Sequence, residues 1–224
     1  MVNISKKYKF AVIAVDVVIF TVKDEKLNAL LIKMKKKPYG KSWAAPGGLI
    51  KVNESLDEAA RRLLKEKAGI KDVYLEQLYA FGKVDRDPFG RVVSVAYYAL
   101  IPNKGIAPKT TSEYADVKWF SVNKLPKLAY DHKEIVDTAH NRLKAKLEYT
   151  NIAYGLLPDT FALSELQKIY EIILQRKLDK RNFVKKILSL GMVRKSGKKR
   201  TGRPNRPADL YSFMQKNPKI VRIL

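Results

Sequence analysis

The apolar positions of this chain follow two rhythms. Phe10–Phe20 is an almost unbroken apolar run dominated by the β-branched Val12, Ile13, Val15, Val17, Val18 and Ile19, and it predicts a buried strand from Phe10 to Val22. The run is too short to span a bilayer and carries Asp16, so Lys6, Lys7 and Lys9 before it do not make it a signal peptide or an anchor. Lys26–Met34, Val73–Phe81, Arg91–Ile101 and Val117–Phe120 read as further strands. Two segments switch to helical spacing. In Ser55–Ala68 the residues Leu56, Ala59, Ala60, Leu63 and Leu64 recur at i, i+3, i+4, i+7 and i+8, with a Ser55/Glu58 capping box and Gly69 as terminator. In Asp131–Leu147 the stripe is Ile135, Val136, Ala139, Leu143 and Leu147.

The texture changes near residue 150. Asn151–Pro158 reads as a linker, and two short helices and a hairpin follow. Ser164 with Gln167 predicts a capping box opening a helix whose core stripe is Leu166, Ile169, Tyr170, Ile173 and Leu174. After a turn at Arg176-Lys177-Leu178, Asp179 caps a second helix, Lys180–Leu190, closed by Gly191. Met192–Lys195 and Ala208–Phe213 alternate like the strands of a hairpin. No internal repeat is present. The expected division is an α+β domain over 1–150 and a small helical-plus-hairpin domain over 151–224.

Composition adds a partner class. The chain has 224 residues, no cysteine, and 45 Lys plus Arg against 22 Asp plus Glu, a formal net charge of +23. Absence of cysteine excludes a disulfide scaffold, thiol catalysis and Cys-ligated zinc. The charge points to nucleic acid or acidic lipid; with no membrane segment, a cytoplasmic nucleic-acid partner is expected. Residues 1–150 hold 28 basic and 17 acidic side chains, residues 151–224 hold 17 and 5, so the excess per residue is about twice as dense in the C-terminal part. Arg194, Lys195, Lys198, Lys199, Arg200, Arg203 and Arg206 form a run without any acid.

The segment Gly47–Ile70 carries the most specific pattern. Gly48, Glu54, Arg62, Leu64, Glu66, Gly69 and Ile70 occupy their places in G-x5-E-x7-R-E-U-x-E-E-x-G-U, and the segment resembles the Nudix box. Trp43–Gly48 upstream and Val117–Phe120 downstream are similar to the same family, so the resemblance covers most of 8–148. It implies a Nudix α/β/α sandwich. In active members three glutamates follow the Arg on one helix face and hold magnesium or manganese; here those positions read Leu63, Glu66 and Lys67. Leu63 offers no ligand and Lys67 places an ammonium where a divalent ion would sit. Lys67 is expected to pair with Glu66, no metal or other cofactor is expected, and pyrophosphate hydrolysis is expected to be lost. The helix is then either scaffold or one wall of a cleft that still binds a ligand.

Asp85-Arg86-Asp87-Pro88 followed by an aromatic-rich strand is similar to the Nudix-related transcriptional regulators, in which a degenerate Nudix domain that binds an effector precedes a winged helix that binds DNA. The resemblance implies a homodimer on an inverted-repeat operator and an effector of the ADP-ribose type or a pentose sugar such as arabinose. It makes Arg86, Asp87, Tyr97 and Tyr98 candidate effector contacts; an Arg beside aromatic rings suits a diphosphate or a stacked sugar. For any single one of these residues the reading to prefer is the structural one, with Asp85 and Asp87 as turn caps and the tyrosines as core. His132 and His140, eight apart on one helix, match no metal spacing and read as structural. Helix, turn and second helix form a helix-turn-helix in which Lys180, Arg181, Asn182 and Lys185 face the groove. The basic run forms a wing carrying Lys198, Lys199, Arg200 and Arg203. Gly202-Arg203-Pro204 resembles an AT-hook core. A winged helix can also bind protein, but the wing's unbroken positive charge favours DNA, and with it a repressor. The rival is an active Nudix hydrolase of nucleoside diphosphate derivatives, its magnesium or manganese site rebuilt with Glu58 or Glu113.

Overall fold

The computed structural model describes residues 10–103, 112–200 and 208–224. Strands β1 (Val12–Lys23), β2 (Lys26–Met34), β3 (Trp43–Ala44) and β4 (Gly47–Leu49) precede helix α1 (Leu56–Ala68). Strands β5 (Tyr74–Phe81), β6 (Val92–Leu100) and β7 (Tyr114–Ser121) and helix α2 (His132–Tyr149) follow. The sheet order is β3-β2-β1-β6-β5, with β4 pairing β1 and β7 pairing β2. β1 is buried over residues 14–21 on both faces, which is why an unbroken apolar run rather than an alternating one encodes it. The stripe of α2 is buried throughout, with Ile135, Val136, Ala139, Leu143 and Leu147 all at 0% exposure.

At α1 the capping box forms as the sequence predicts. Glu58 N–H donates to Ser55 Oγ and Ser55 N–H to Glu58 Oε2, while Gly69 closes the helix at φ 68°. The two-residue and three-residue strands β3 and β4 are too short to show a periodicity. Their register is nonetheless defined: Ile32 faces Ala44, and Ala14, Val15 and Asp16 face Leu49, Gly48 and Gly47.

The chain forms two compact units. The first comprises 10–19, Ala29–Ala99 and 112–139, and the second comprises Phe20–Asn28, 100–103, 140–200 and 208–224. In the second unit, helices α3 (Leu163–Leu174) and α4 (Lys180–Ser189) precede the hairpin β8 (Val193–Arg200) and β9 (Ala208–Phe213). Tyr170 of α3 meets Phe183 of α4 edge-on at 5.3 Å. Phe161 exchanges backbone hydrogen bonds with Tyr211 at 2.9 and 2.8 Å, so a third backbone segment flanks the hairpin.

Three local expectations are corrected. The segment expected as a linker is a 3-10 turn, Ile152–Leu156, whose Ile152, Ala153 and Leu156 are buried, because these apolar side chains cannot remain in solvent. Helix α3 begins earlier than the Ser164/Gln167 capping box implies. Ala162 is its N-cap, and Glu165 Oε2 reaches back to accept from Ala162 N–H at 2.9 Å. Gln167 instead donates to Leu178 O at 2.9 Å, and Leu178 N–H donates to Glu171 Oε1 at 3.0 Å, so two side chains of α3 hold the turn before α4. Finally, β8 continues to Arg200, pairing Lys199 with Asp209 and Arg200 with Ala208. Much of the basic run is therefore strand rather than loop. No helix among the described residues is long and apolar enough to cross a membrane.

Candidate functional site

In the first unit a cleft of about 210 Å³ opens beside β1 and β4. Asp16, Gly47, Gly48, Arg86, Asp87, Tyr114, Tyr130 and His132 are among its lining residues. Asp16 lies on the buried strand β1, where a carboxylate must find partners. It finds three: Ser94 Oγ donates to its Oδ2 at 2.6 Å, Arg86 Nη2 lies 3.4 Å from the same oxygen, and His132 Nε2 lies 3.5 Å from Oδ1. A Cβ at Gly47 would collide with Asp16 Oδ1, so only glycine leaves room for the carboxylate there. His132 Nδ1 accepts from Ala45 N–H at 2.9 Å, which puts the ring proton of a neutral imidazole on Nε2, facing Asp16.

Arg86 also forms a two-pronged pair with Asp131, Nε to Oδ2 at 2.8 Å and Nη2 to Oδ1 at 2.6 Å. Burial works against its charge, but the hydrogen bonds and charges of Asp131 and Asp16 outweigh it and raise its pKa. Asp87 caps the turn by accepting from Phe89 N–H at 2.8 Å. At the cleft, Tyr130 packs on Tyr39 with ring centroids 4.3 Å apart, and both rings sit with Tyr114 against Ile32, Ala44 and Ala129.

Of the four expected effector contacts, Arg86 and Asp87 line this cleft, whereas Tyr97 and Tyr98 do not. Both tyrosines are core: 2% and 0% exposed, the first donating to Asp57 Oδ1 at 2.6 Å and the second 3.2 Å from Tyr74 Oη. Inward positions of a sheet buried on both faces claim them. Conversely, Asp16, His132, Tyr114 and Tyr130 line the cleft and Asp131 pairs with its Arg86, none of them singled out by the sequence for these places. An acid inside an apolar strand is the signal that could have pointed to Asp16; the others become visible only when distant loops converge.

On α1 and just before it, both carboxylates of the Nudix pattern, Glu54 and Glu66, are already engaged. Arg62 grips Glu54 through Nε (2.8 Å) and Nη2, and reaches Glu66 Oε2 through Nη1 at 3.2 Å. The Arg62 hydrogen bond holds the Glu54 carboxyl at about 2. Lys67 does not pair with Glu66: its ammonium sits on Glu113 and lies 4.9 Å from the Tyr114 ring centroid. Desolvation opposes that charge, but Glu113 and Tyr114 raise its pKa regardless. Glu58 is held in the helix cap. A hard divalent cation wants several oxygen ligands, and among the described residues no group of three or more His, Cys, Asp or Glu is placed to hold one. The donor set does not fit a Nudix metal, and Glu58 and Glu113 do not rebuild one.

In the second unit, Asp179 caps α4 by accepting from Asn182 N–H at 2.8 Å. Lys180, Arg181, Asn182 and Lys185 are exposed on α4, and Lys198 and Lys199 on β8; among the described residues none of these cations has an ion-pair partner. Arg200, expected on the same surface, is instead bound to Glu165 at 2.6 Å, and Lys195 pairs with Asp209 at 2.8 Å. Arg203 and the Gly202-Arg203-Pro204 core lie outside the described residues.

A Nudix fold whose metal-ligand positions are occupied by Leu63 and Lys67, carried on one chain with a basic winged helix, defines a Nudix-related regulator. Comparison with known proteins gives the same class. A model of the NUDIX domain matches residues 11–139, and one of the NrtR DNA-binding winged helix domain matches residues 153–213. The ADPR responsive transcriptional repressor NtrR of Acinetobacter baylyi is 37% identical over 211 residues, spanning 92% of this chain and 83% of that protein. Shewanella oneidensis NrtR complexed with a 27mer DNA superposes with a TM-score of 0.79 at 33% identity, covering 90% of this chain and 93% of that one. The NUDIX domain of the same protein complexed with ADP ribose gives a TM-score of 0.55 at 35% identity, over 62% of this chain and 92% of that one. The chain belongs to the NrtR family of Nudix-related transcriptional regulators.

Proposed function

We propose that the protein is a transcriptional repressor whose winged helix binds an operator and whose Nudix cleft binds an ADP-ribose-type effector instead of hydrolysing it. One observation carries the reading: likeness to a DNA-bound relative extends over both units, on a chain whose Nudix carboxylates are all engaged by its own side chains and caps. Two copies acting as a homodimer on an inverted repeat would set the half-site spacing, and the site of action is the cytoplasm. Arg181 and Asn182, early on α4, read base edges, while Lys180, Lys185, Lys198 and Lys199 contact phosphates. In the cleft, Tyr130 on Tyr39 offers a face for a base or sugar ring, and Asp87 accepts hydroxyls.

Gel-shift titration of the gene's own upstream DNA, with and without ADP-ribose, tests this. Saturable binding at physiological salt that ADP-ribose shifts and arabinose does not is the expected result. Binding indifferent to sequence, or a shift by arabinose alone, contradicts it.

A further inference from the structure

The cleft poses an electrostatic problem for a diphosphate ligand. Its lining carries the acids Asp16 and Asp87, and its buried cation Arg86 is committed to Asp16 and to Asp131. In the Nudix pattern a divalent ion would offset such charge, and the donor set here does not fit one. Lys67 is not itself a lining residue, but its ammonium contacts the lining residue Tyr114. Leu63 and Lys67 are one turn apart on one face of α1; a Cβ at Gly48, in the cleft wall, would lie 3.0 Å from Leu63 Cδ2, and the Lys67 ammonium lies against the cleft residue Tyr114. Its side chain is 12% exposed, whereas that of its partner Glu113 is 62% exposed. A mostly buried cation is thus balanced by a carboxylate that can leave into water.

The geometry points to Lys67 as a built-in replacement for the Nudix metal: its ammonium receives the diphosphate of the effector, and Glu113 is the counter-ion that the diphosphate displaces. This rests on the effector reading above and deepens it, because it makes binding of a nucleoside diphosphate independent of divalent cations. Tyr114, in contact with the ammonium in the free protein, stays beside it when Glu113 leaves. No bond is made or broken in the ligand; the exchange is of one anion for another.

Calorimetric titration of the full-length protein with ADP-ribose, ADP and inorganic pyrophosphate, each in EDTA and in magnesium, tests the assignment. The wild type is expected to bind equally in both buffers. Lys67→Gln should weaken all three ligands by about 10–100-fold, the range of a lost charge-assisted contact; Lys67→Arg should retain most of the affinity, and Glu113→Gln should match or exceed wild type. Affinity that vanishes in EDTA, or Lys67→Gln binding like wild type, overturns the assignment. If Lys67→Gln still responds to ADP-ribose on DNA as wild type does, the assignment falls and the regulatory function stands. If ADP and pyrophosphate bind through Lys67 but ADP-ribose does not, the effector's identity falls and Lys67 keeps its role. Failure of all three ligands to bind the wild type overturns both.

Discussion

Arg86 is expected from the sequence to touch the effector, yet in the fold it balances Asp16 and Asp131, with its side chain only 3% exposed. Removing it strands two carboxylates in a poorly solvated site, and breaking such a buried pair costs about 3–5 kcal/mol. Arg86→Ala should therefore lower the urea midpoint strongly even without ligand; an unchanged midpoint would mean that water reaches Asp16. Glu54 makes an opposite case outside the cleft. Its carboxyl falls from the ordinary 4.5 to about 2 because Arg62 hydrogen-bonds it. A group lowered in the folded state adds stability above its unfolded value and loses that contribution as pH falls toward the folded one. Wild type should thus lose thermal stability between about pH 4.5 and pH 2 more steeply than Glu54→Gln; parallel curves would show that the pair is not formed in solution.

At the scale of elements, caps and turns decide whether the second unit presents its helix correctly. Asp179 satisfies the backbone N–H of Asn182, a residue proposed to read bases. Asp179→Ala should cost about 1 kcal/mol of helix stability and weaken operator binding while leaving ADP-ribose binding intact. Equal loss of both would place the defect elsewhere. Elements of this kind were the legible part of the sequence: the α1 capping box, the buried stripe of α2 and the Asp179 cap all follow from spacing along one segment. What stayed hidden depends on segments far apart in the chain. The family resemblance makes Tyr97 and Tyr98 candidate contacts, but on β6 both are buried in the core. His132 joins the cleft, and Asp131 reaches Arg86, only because Ala129 N–H binds Trp43 O at 2.8 Å and His132 binds Ala45 N–H, pairings that no local pattern encodes. The length of β8 was missed for a similar reason: lysines disguise a strand whose partner β9 carries the apolar positions.

For the molecule as a whole, the formal charge of +23 separates into cations that hold the fold and cations that face solvent. Arg62, Lys67, Arg86, Lys195 and Arg200 have acidic partners, so a tally of basic residues overstates the binding surface. Salt dependence distinguishes the two kinds, because each phosphate neutralised by a lysine or arginine releases condensed counterions and steepens the plot of log affinity against log salt. Lys199 is exposed and without an ion-pair partner among the described residues; Lys199→Ala should reduce that slope by about 0.9 on operator and on random duplex alike. Arg181→Ala should instead erode the preference for operator over random duplex, by about 1–3 kcal/mol if a two-pronged base contact is lost. Arg200→Ala should leave the slope nearly unchanged and lower the unfolding midpoint, since its guanidinium is bound to Glu165. Fluorescence anisotropy on both duplexes from 50 to 200 mM salt, roughly the range over which phosphate contacts dominate, separates these outcomes. If Arg200→Ala flattened the slope as much as Lys199→Ala, the Glu165 pair would have to open on DNA and Arg200 would join the binding surface.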